Sequence, residues 1–444
     1  MKYEKYKDSG VEWIGDIPLT WTTSTLLQVL RARISDGPHE TPNLVDEGIP
    51  FISVDSLNDS EDIDFETVKK YISDEDYKQY KKKACLEKGD ILFTKSATIG
   101  KTAIVKDDIF MVWSPIAILK PNKLIYNKYL YYLVSNDFFK DYICQLSTFS
   151  TQFNVGMRTL EKAKICFPSL PEQQAIANYL DEKCAKINGS IDVQKRKIEL
   201  LNELKQTIIT DAVTKGLNPH APMKNSGVEW IGEVPEHWEV MKMNFACKVI
   251  TDYVASGSFA DLRTNVAYLD EPDFAMLVRT ADLSQKDKNI SRVYINRASY
   301  DFLSNSNLFG GEIVLPNIGA SIGDVYMVPY GLYENMSLAP NSIMVKSKTS
   351  DEYMYYFFSS KVGRESLNII GSAAAQGKFN KTELRALRIP IPPLEEQDLA
   401  INHIKEKIAP IDTQISKANR RIELLNELKQ SIITEAVTGK IKVC

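Results

Sequence analysis

Two long stretches of the chain carry apolar residues at alternating spacings of three and four. With Ile198 as position a of a heptad, the first seam reads Cys184, Ile187, Ile191, Gln194, Ile198, Leu201, Lys205, Ile208 and Ala212. The second reads Ile408, Ile411, Ile415, Ala418, Ile422, Leu425, Lys429, Ile432 and Ala436. This spacing predicts a coiled-coil stripe on each of two helices, over roughly 171–214 and 395–438. At ~1.5 Å per residue each would be a rod on the order of 65 Å. Asn188–Gly189 in the first and Pro410 in the second predict a kink or break.

Elsewhere the pattern changes to short apolar runs bounded by glycine, which predict strands. They are "GIPFISV" (48–54), "GDILFT" (89–94), "TAIVK" (102–106) and "AILK" (117–120), then "FAMLVRT" (274–280), "GEIVLPN" (311–317) and "DVYMV" (324–328). Aromatic helical stretches follow each set, at 126–143 and 351–367. Their tyrosines are expected to pack helix on sheet. Residues 22–167 and 240–390 therefore read as two mixed α/β regions.

The chain repeats itself. "KDSGVEWIGDIP" (7–18) returns as "KNSGVEWIGEVP" (224–235), residue 7 to residue 224, an offset of 217. "IELLNELKQTIITDAVT" (198–214) returns as "IELLNELKQSIITEAVT" (422–438), residue 198 to residue 422, an offset of 224. The middles share only traces: "KGDILFTKSATIGK" against "GGEIVLPNIGASIGD", "QFN" against "KFN", "FPSLPEQQ" against "IPPLEEQD". A duplication without functional meaning predicts uniform similarity. Near-identity beside near-unrelatedness says instead that tags and helices do one job twice, while the middles do two different jobs. The expected fold is α+β: two α/β domains separated by two long antiparallel coiled-coil helices, with a pseudo-two-fold tandem repeat. Its segments are 1–168 (tag and first domain), 169–216 (first long helix), 217–392 (second tag and domain) and 393–444 (second long helix).

A seam fixes only its own positions. Yet Glu199, Asn202, Glu203 and Gln206 lie off it and return as Glu423, Asn426, Glu427 and Gln430. Leu200, which returns as Leu424, and Leu204 and Ile209 add apolar groups outside it. Exposed apolar surface at the same place in both repeats suits a partner docking twice. Packing by short helices of the middle domains would cover it equally.

Composition narrows the class. A chain of 444 residues exceeds one ordinary core, and 44% hydrophobic with 25% charged residues is globular. There is no run of about 18 uncharged apolar residues and no apolar core in "MKYEKYKDSG", so neither a membrane span nor a signal peptide is expected. Six scattered cysteines without a CxxC pair argue against a zinc ribbon or disulfide framework and fit the cytoplasm. A net charge of −4 is unusual for a protein that grips DNA unaided, because phosphate neutralisation supplies most of that affinity. Any DNA contact needs local basic groups or a partner. The chain has no GxGxxG, no GxxxxGK[ST], no HExxH, no methyltransferase Asn/Asp-Pro-Pro-aromatic motif and no nuclease acid pair. These absences point to a non-catalytic protein.

The duplicated helix, the "VEWIGxxP" tags, the "PxxEQ" entry to each helix and the "AVTGKI" at 436–441 together resemble the specificity subunits of type I restriction–modification systems. The resemblance spans essentially the whole chain. It implies a non-enzymatic, cytoplasmic DNA-binding subunit of a phage-defence complex. Each middle would be a target recognition domain for one half of a split, asymmetric double-stranded DNA site, with the helices setting the unread spacer. Two modification (methyltransferase) subunits would dock on the repeated elements and methylate adenine, and restriction subunits would add translocation and cleavage. S-adenosylmethionine, ATP and Mg would be bound by those partners, none by this chain. The competing reading is a coiled-coil scaffold without a sequence-specific DNA role. Base readout is expected from Lys95, Ser96, Gln152 and Asn154 in the first domain, and from Arg279, Thr280, Asn317, Gln376 and Lys378 in the second. Partner docking is expected on Glu199, Leu200, Asn202, Glu203 and Gln206, and on Glu423, Leu424, Asn426, Glu427 and Gln430.

Overall fold

A computed structural model describes residues 2–58, 60–96, 98–106, 108–147, 154–284, 290–372 and 377–443. The chain forms two compact units, 1–194 with 419–444, and 195–418. The first long helix is Leu170–Thr214 and the second is Leu394–Val437. Each belongs to both units, in opposite order: the first helix begins in unit 1 and ends in unit 2, and the second does the reverse. Both helices run unbroken through Gly189 and Pro410, which corrects the expected break. A proline in a helix interior costs about 3 kcal/mol. Ile404, Ile408 and Ile411, buried on either side of Pro410, hold the helix in place there.

Part of each seam is covered, while Ile198, Leu201, Ile208, Ile415, Ile422, Leu425 and Ile432 are half-buried. Cys184, Ile187 and Ile191 in the first helix, and Ile408, Ile411 and Ala418 in the second, are buried. Within unit 2, Lys205 on the first helix reaches Asp412 on the second at 2.6 Å.

Unit 1 opens on the tag hairpin, Tyr6–Asp8 against Asp16–Pro18. Its main sheet is antiparallel, in the order Ser35–Asp36, Ile116–Leu119, Ile91–Thr94, Thr102–Ile104. A second sheet of four short strands is built around Ile49–Ile52. The aromatic stretch forms two helices, Asn127–Ser135 and Asp137–Leu146. Asn136 separates them: its Oδ1 accepts from the Phe138 N–H (2.8 Å), and its Nδ2 donates to Thr434 Oγ1 (2.6 Å). Tyr129, Leu130, Leu133 and Phe139 share a core with Ile91, Phe93 and Leu119 of the sheet. Ile176 and Leu180 of the first long helix and Ile433, Ala436 and Val437 of the second complete it.

Unit 2 repeats this plan. Its tag hairpin is Met223–Asn225 against Glu233–Pro235. The main sheet runs Cys247–Asp252, Ser342–Ser347, Ile313–Pro316, Tyr326–Met327. A five-stranded sheet surrounds Ala275–Val278. The stretch at 351–367 likewise divides into two helices, the aromatic Asp351–Ser359 and Lys361–Ser372, parted at Ser360.

The near-identical segments make the same bonds in each unit. Trp21 Nε1 donates to Glu172 (3.2 Å), and Trp238 Nε1 donates to Glu396 (3.0 Å). Buried Gln173 and Gln397 each donate to a proline carbonyl just before the helix, Pro168 and Pro392, both at 2.9 Å. The "EQ" pair is therefore the clamp between tag, strand and helix start. Tyr129 Oη donates to the Val437 carbonyl (3.2 Å), and Tyr353 Oη to the Val213 carbonyl (3.1 Å). In both units the tyrosine holds the end of the helix that follows the other domain. Gly439 and Gly216 leave those helix ends at φ +71°, where a Cβ would meet Pro18 at 2.4 Å or Trp238 at 3.1 Å. Glycine is required there by conformation and by space.

Candidate nucleic-acid interface

In unit 1 several loops leave one end of the main sheet. Asp36 pairs with Ala117 and Thr94 with Ile116, so the chain departs after Asp36 and Thr94 and returns before Ile116 at that end. The Lys95 N–H donates to the Pro115 carbonyl, and the Lys95 carbonyl accepts from the Val155 N–H, both at 2.8 Å. Ser96 then bridges Asn154.

Unit 2 builds the same edge. Asp252 pairs with Ile343 and Pro316 with Ser342. The Asn317 N–H donates to Asn341 (3.2 Å), and the Asn317 carbonyl accepts from Phe379 (3.1 Å). Ile318 bridges Lys378. Lys95, Ser96 and Asn154 thus occupy the backbone positions of Asn317, Ile318 and Lys378. One scaffold is used twice, with different side chains at equivalent points.

The side chains are arranged differently too. Lys95 Nζ lies 3.1 Å from Asp36, and both side chains are only 9% exposed. The largely exposed His39 places Nε2 3.2 Å from the same carboxylate oxygen. In unit 2 the matching acid, Asp252, is held instead by Lys381 at 2.7 Å. Asn317 is buried: its Nδ2 donates to the Phe379 carbonyl (2.8 Å), and its Oδ1 is enclosed with no hydrogen-bond partner. Asn154 and Lys378 are exposed, and Ser96 is half-buried.

Arg279 and Thr280 stand elsewhere, at the end of Ala275–Val278 in the other sheet of unit 2. The Arg279 guanidinium donates twice to Asp282 (2.9 and 2.8 Å) and once to the Ser291 carbonyl (2.6 Å). Gln152 and Gln376 lie outside the described residues. The residues that sequence reasoning missed are Asp36, Asp252 and Lys381. The readable signal was an acid at the head of each counterpart loop, in "SDGPHETP" and "DYVASGSF".

The repeated helical segments present matching surfaces. Leu200, Leu204, Leu424 and Leu428 are each 48–49% exposed. Arg196 pairs with Glu199 and Arg420 with Glu423, both at 2.8 Å. Asn202, Glu203, Asn426 and Glu427 are exposed, while Gln206 and Gln430 are half-buried. Ile209 and Ile433 are core residues, so packing inside each unit accounts for them and leaves the leucines uncovered.

Among the described residues no cluster of His, Cys, Asp or Glu has the arrangement of a metal site. No described helix is long and apolar enough to cross a membrane.

Comparison with known proteins gives a consistent result. Residues 18–203 and 262–430 match the type I restriction modification DNA specificity domain. A Methanocaldococcus jannaschii protein, provisionally named as the specificity subunit of the MjaX type I restriction enzyme, is 28% identical over 460 residues. That match covers 100% of this chain and 98% of the relative. The EcoKI specificity subunit of Escherichia coli is 22% identical, with 73% of this chain and 68% of the relative aligned. A solved structure, described as showing complex assembly and conformational transition of the type I R-M system, shares the fold with a TM-score of 0.65. It is 14% identical and covers 96% of this chain and 99% of that one.

Proposed function

Since this chain belongs to the type I restriction–modification DNA specificity family, we propose that its two units read the two halves of one bipartite, asymmetric DNA site. The chain is a specificity subunit and carries no catalysis of its own. The observation that supports the bipartite reading is the duplicated sheet edge. Identical backbone bonds carry Lys95, Ser96 and Asn154 in one unit and Asn317, Ile318 and Lys378 in the other. A scaffold kept constant under changed polar groups suits one docking geometry applied to two base sequences.

In the same reading, two methyltransferase subunits dock on the paired leucine surfaces, one on Leu200 and Leu204, one on Leu424 and Leu428. Those subunits bind S-adenosylmethionine and methylate adenine in each half-site. Restriction subunits bring ATP and Mg, and the complex works in the cytoplasm. The partners also supply much of the attraction to phosphate that a chain of net charge −4 lacks.

The test is to co-express the chain with the methyltransferase encoded beside it and map methylated adenines genome-wide, with and without this gene. A bipartite motif that disappears with the gene is expected. An unchanged methylation map would overturn the reading.

A further inference from the structure

We propose, building on the function above, that Phe259 is a specificity-determining residue of unit 2 that contacts a thymine methyl group in the second half-site. The loop that carries it leaves the main sheet at Asp252, whose partner Ile343 adjoins the Ser342–Pro316 pair. Phe259 therefore follows from the same sheet end as Asn317, Ile318 and Lys378.

Its ring is 78% exposed, yet the backbone beneath it is fixed. The Ser258 hydroxyl donates to Asp261 Oδ2 (2.7 Å), and the Ser258 N–H donates to the same oxygen (3.0 Å). Leu262, buried in the unit 2 interior, anchors the helix Phe259–Asn265 from below. Lys381 ties the loop's first residue, Asp252, to the adjacent helix. A large, mostly exposed apolar side chain on a capped backbone gains from being covered.

The surroundings favour DNA as the occupant. Arg263, four residues on, shares the ring's helix face and is exposed, as is Lys378. Arg263 suits phosphate beside the contact, and Lys378 suits phosphate along the sheet edge. The thymine C5-methyl is the apolar group that base edges offer in the major groove, and Phe is among the side chains that meet it. Ile318, 38% exposed on the same edge, adds apolar surface. The counterpart loop of unit 1 has Pro38, His39 and Glu40 after its acid and no aromatic. The two half-sites are accordingly read with different chemistry.

The experiment uses the full chain co-purified with its methyltransferase subunits and duplexes of the mapped site. Each thymine of the second half-site is replaced in turn by uracil, which lacks the methyl. At one such position the wild-type complex should lose affinity by about fourfold, the effect of one buried methyl group. Phe259→Ala should weaken binding to the thymine duplex and show no further loss with uracil there, while Phe259→Leu retains part of the difference. Because the ring is exposed, the denaturation midpoint and the response to first-half-site changes should not move. The proposal is overturned if no uracil position matters to the wild type, if Phe259→Ala remains methyl-sensitive, or if the second half-site has no thymine. A motif that maps to this gene while those arms fail removes this proposal alone. The absence of any such motif removes the proposed function with it.

Discussion

Lys95 and Asp36 form a buried pair inside unit 1, with His39 at the same carboxylate oxygen. Removing one member of a buried pair strands a charge, which typically costs about 3–5 kcal/mol. Lys95→Ala should therefore destabilise unit 1 by that order in urea denaturation, and Lys95→Met with Asp36→Asn should recover most of it. Recognition by the second unit should be unaffected. The sequence displayed Lys95 as a polar loop residue at a strand end, which is correct, but its partner lies 59 positions away and no local pattern reports it. A different residue carries the chemical prediction at this scale. Burial pushes the Cys247 thiol up to about 12, with Asp351 adding to the shift. Since the thiolate is the reactive form, only about one part in ten thousand is available at pH 8. Cys247 should stay unlabelled by iodoacetamide in the native protein and react once urea unfolds it, as read by mass spectrometry of its peptide.

At the scale of elements, the tyrosine bonds fix where the ends of the long helices lie in each unit. Tyr129 offers one hydroxyl hydrogen to two buried carbonyls, Cys166 (3.1 Å) and Val437 (3.2 Å), whereas Tyr353 serves Val213 alone. Tyr129→Phe should cost about 1–3 kcal/mol, because buried acceptors lose their donor, and Tyr353→Phe somewhat less. Amide hydrogen exchange should speed up in the last turn of the second helix for the first variant and of the first helix for the second. The helices themselves were legible: the seam predicted 171–214 and 395–438 against observed spans of Leu170–Thr214 and Leu394–Val437. A break at Pro410 did not follow, because a local rule was set against packing on both sides of it. The break at Asn136 was hidden by aromatic residues that continue across it, and the one at Ser360 by a polar helix-forming run on its far side. Asn136 is nonetheless a good helix-capping residue, and the "SND" at 135–137 was the cue.

For the whole molecule, the repeated surface makes a claim about stoichiometry. If Leu200 and Leu424 mark two equivalent docking places, Leu200→Glu should leave complexes with one methyltransferase copy, and so should Leu424→Glu. The double variant should leave none, as native mass spectrometry of the co-purified complex would show. A truncation tests the division into units. Unit 2 is continuous in sequence, 195–418, whereas unit 1 needs 419–444. Deleting 419–444 should spare hydrogen-exchange protection in unit 2 and erode it around Trp21, Glu172 and Tyr129. The repeats announced that two units exist, but not that each borrows its closing helix from the other half. In unit 1 that exchange depends on partners 298 and 308 residues apart, Asn136 with Thr434 and Tyr129 with Val437, which no window of sequence brings together.

The borrowed helix end also sets an order of events on the ribosome. Residues 195–418 are complete before 419–443 have been translated, so the later-made unit can close first. The first tag and its domain must wait for Val437 and Gly439, roughly 240 residues after the first unit's own share of helix has emerged. At 5–20 residues per second that wait is on the order of ten to fifty seconds. During it, the apolar sockets around Trp21 and Tyr129 stand open on the earlier-made unit of the nascent chain. Of the two units, the one begun earlier is the later to finish, and chaperone occupancy during synthesis should concentrate there.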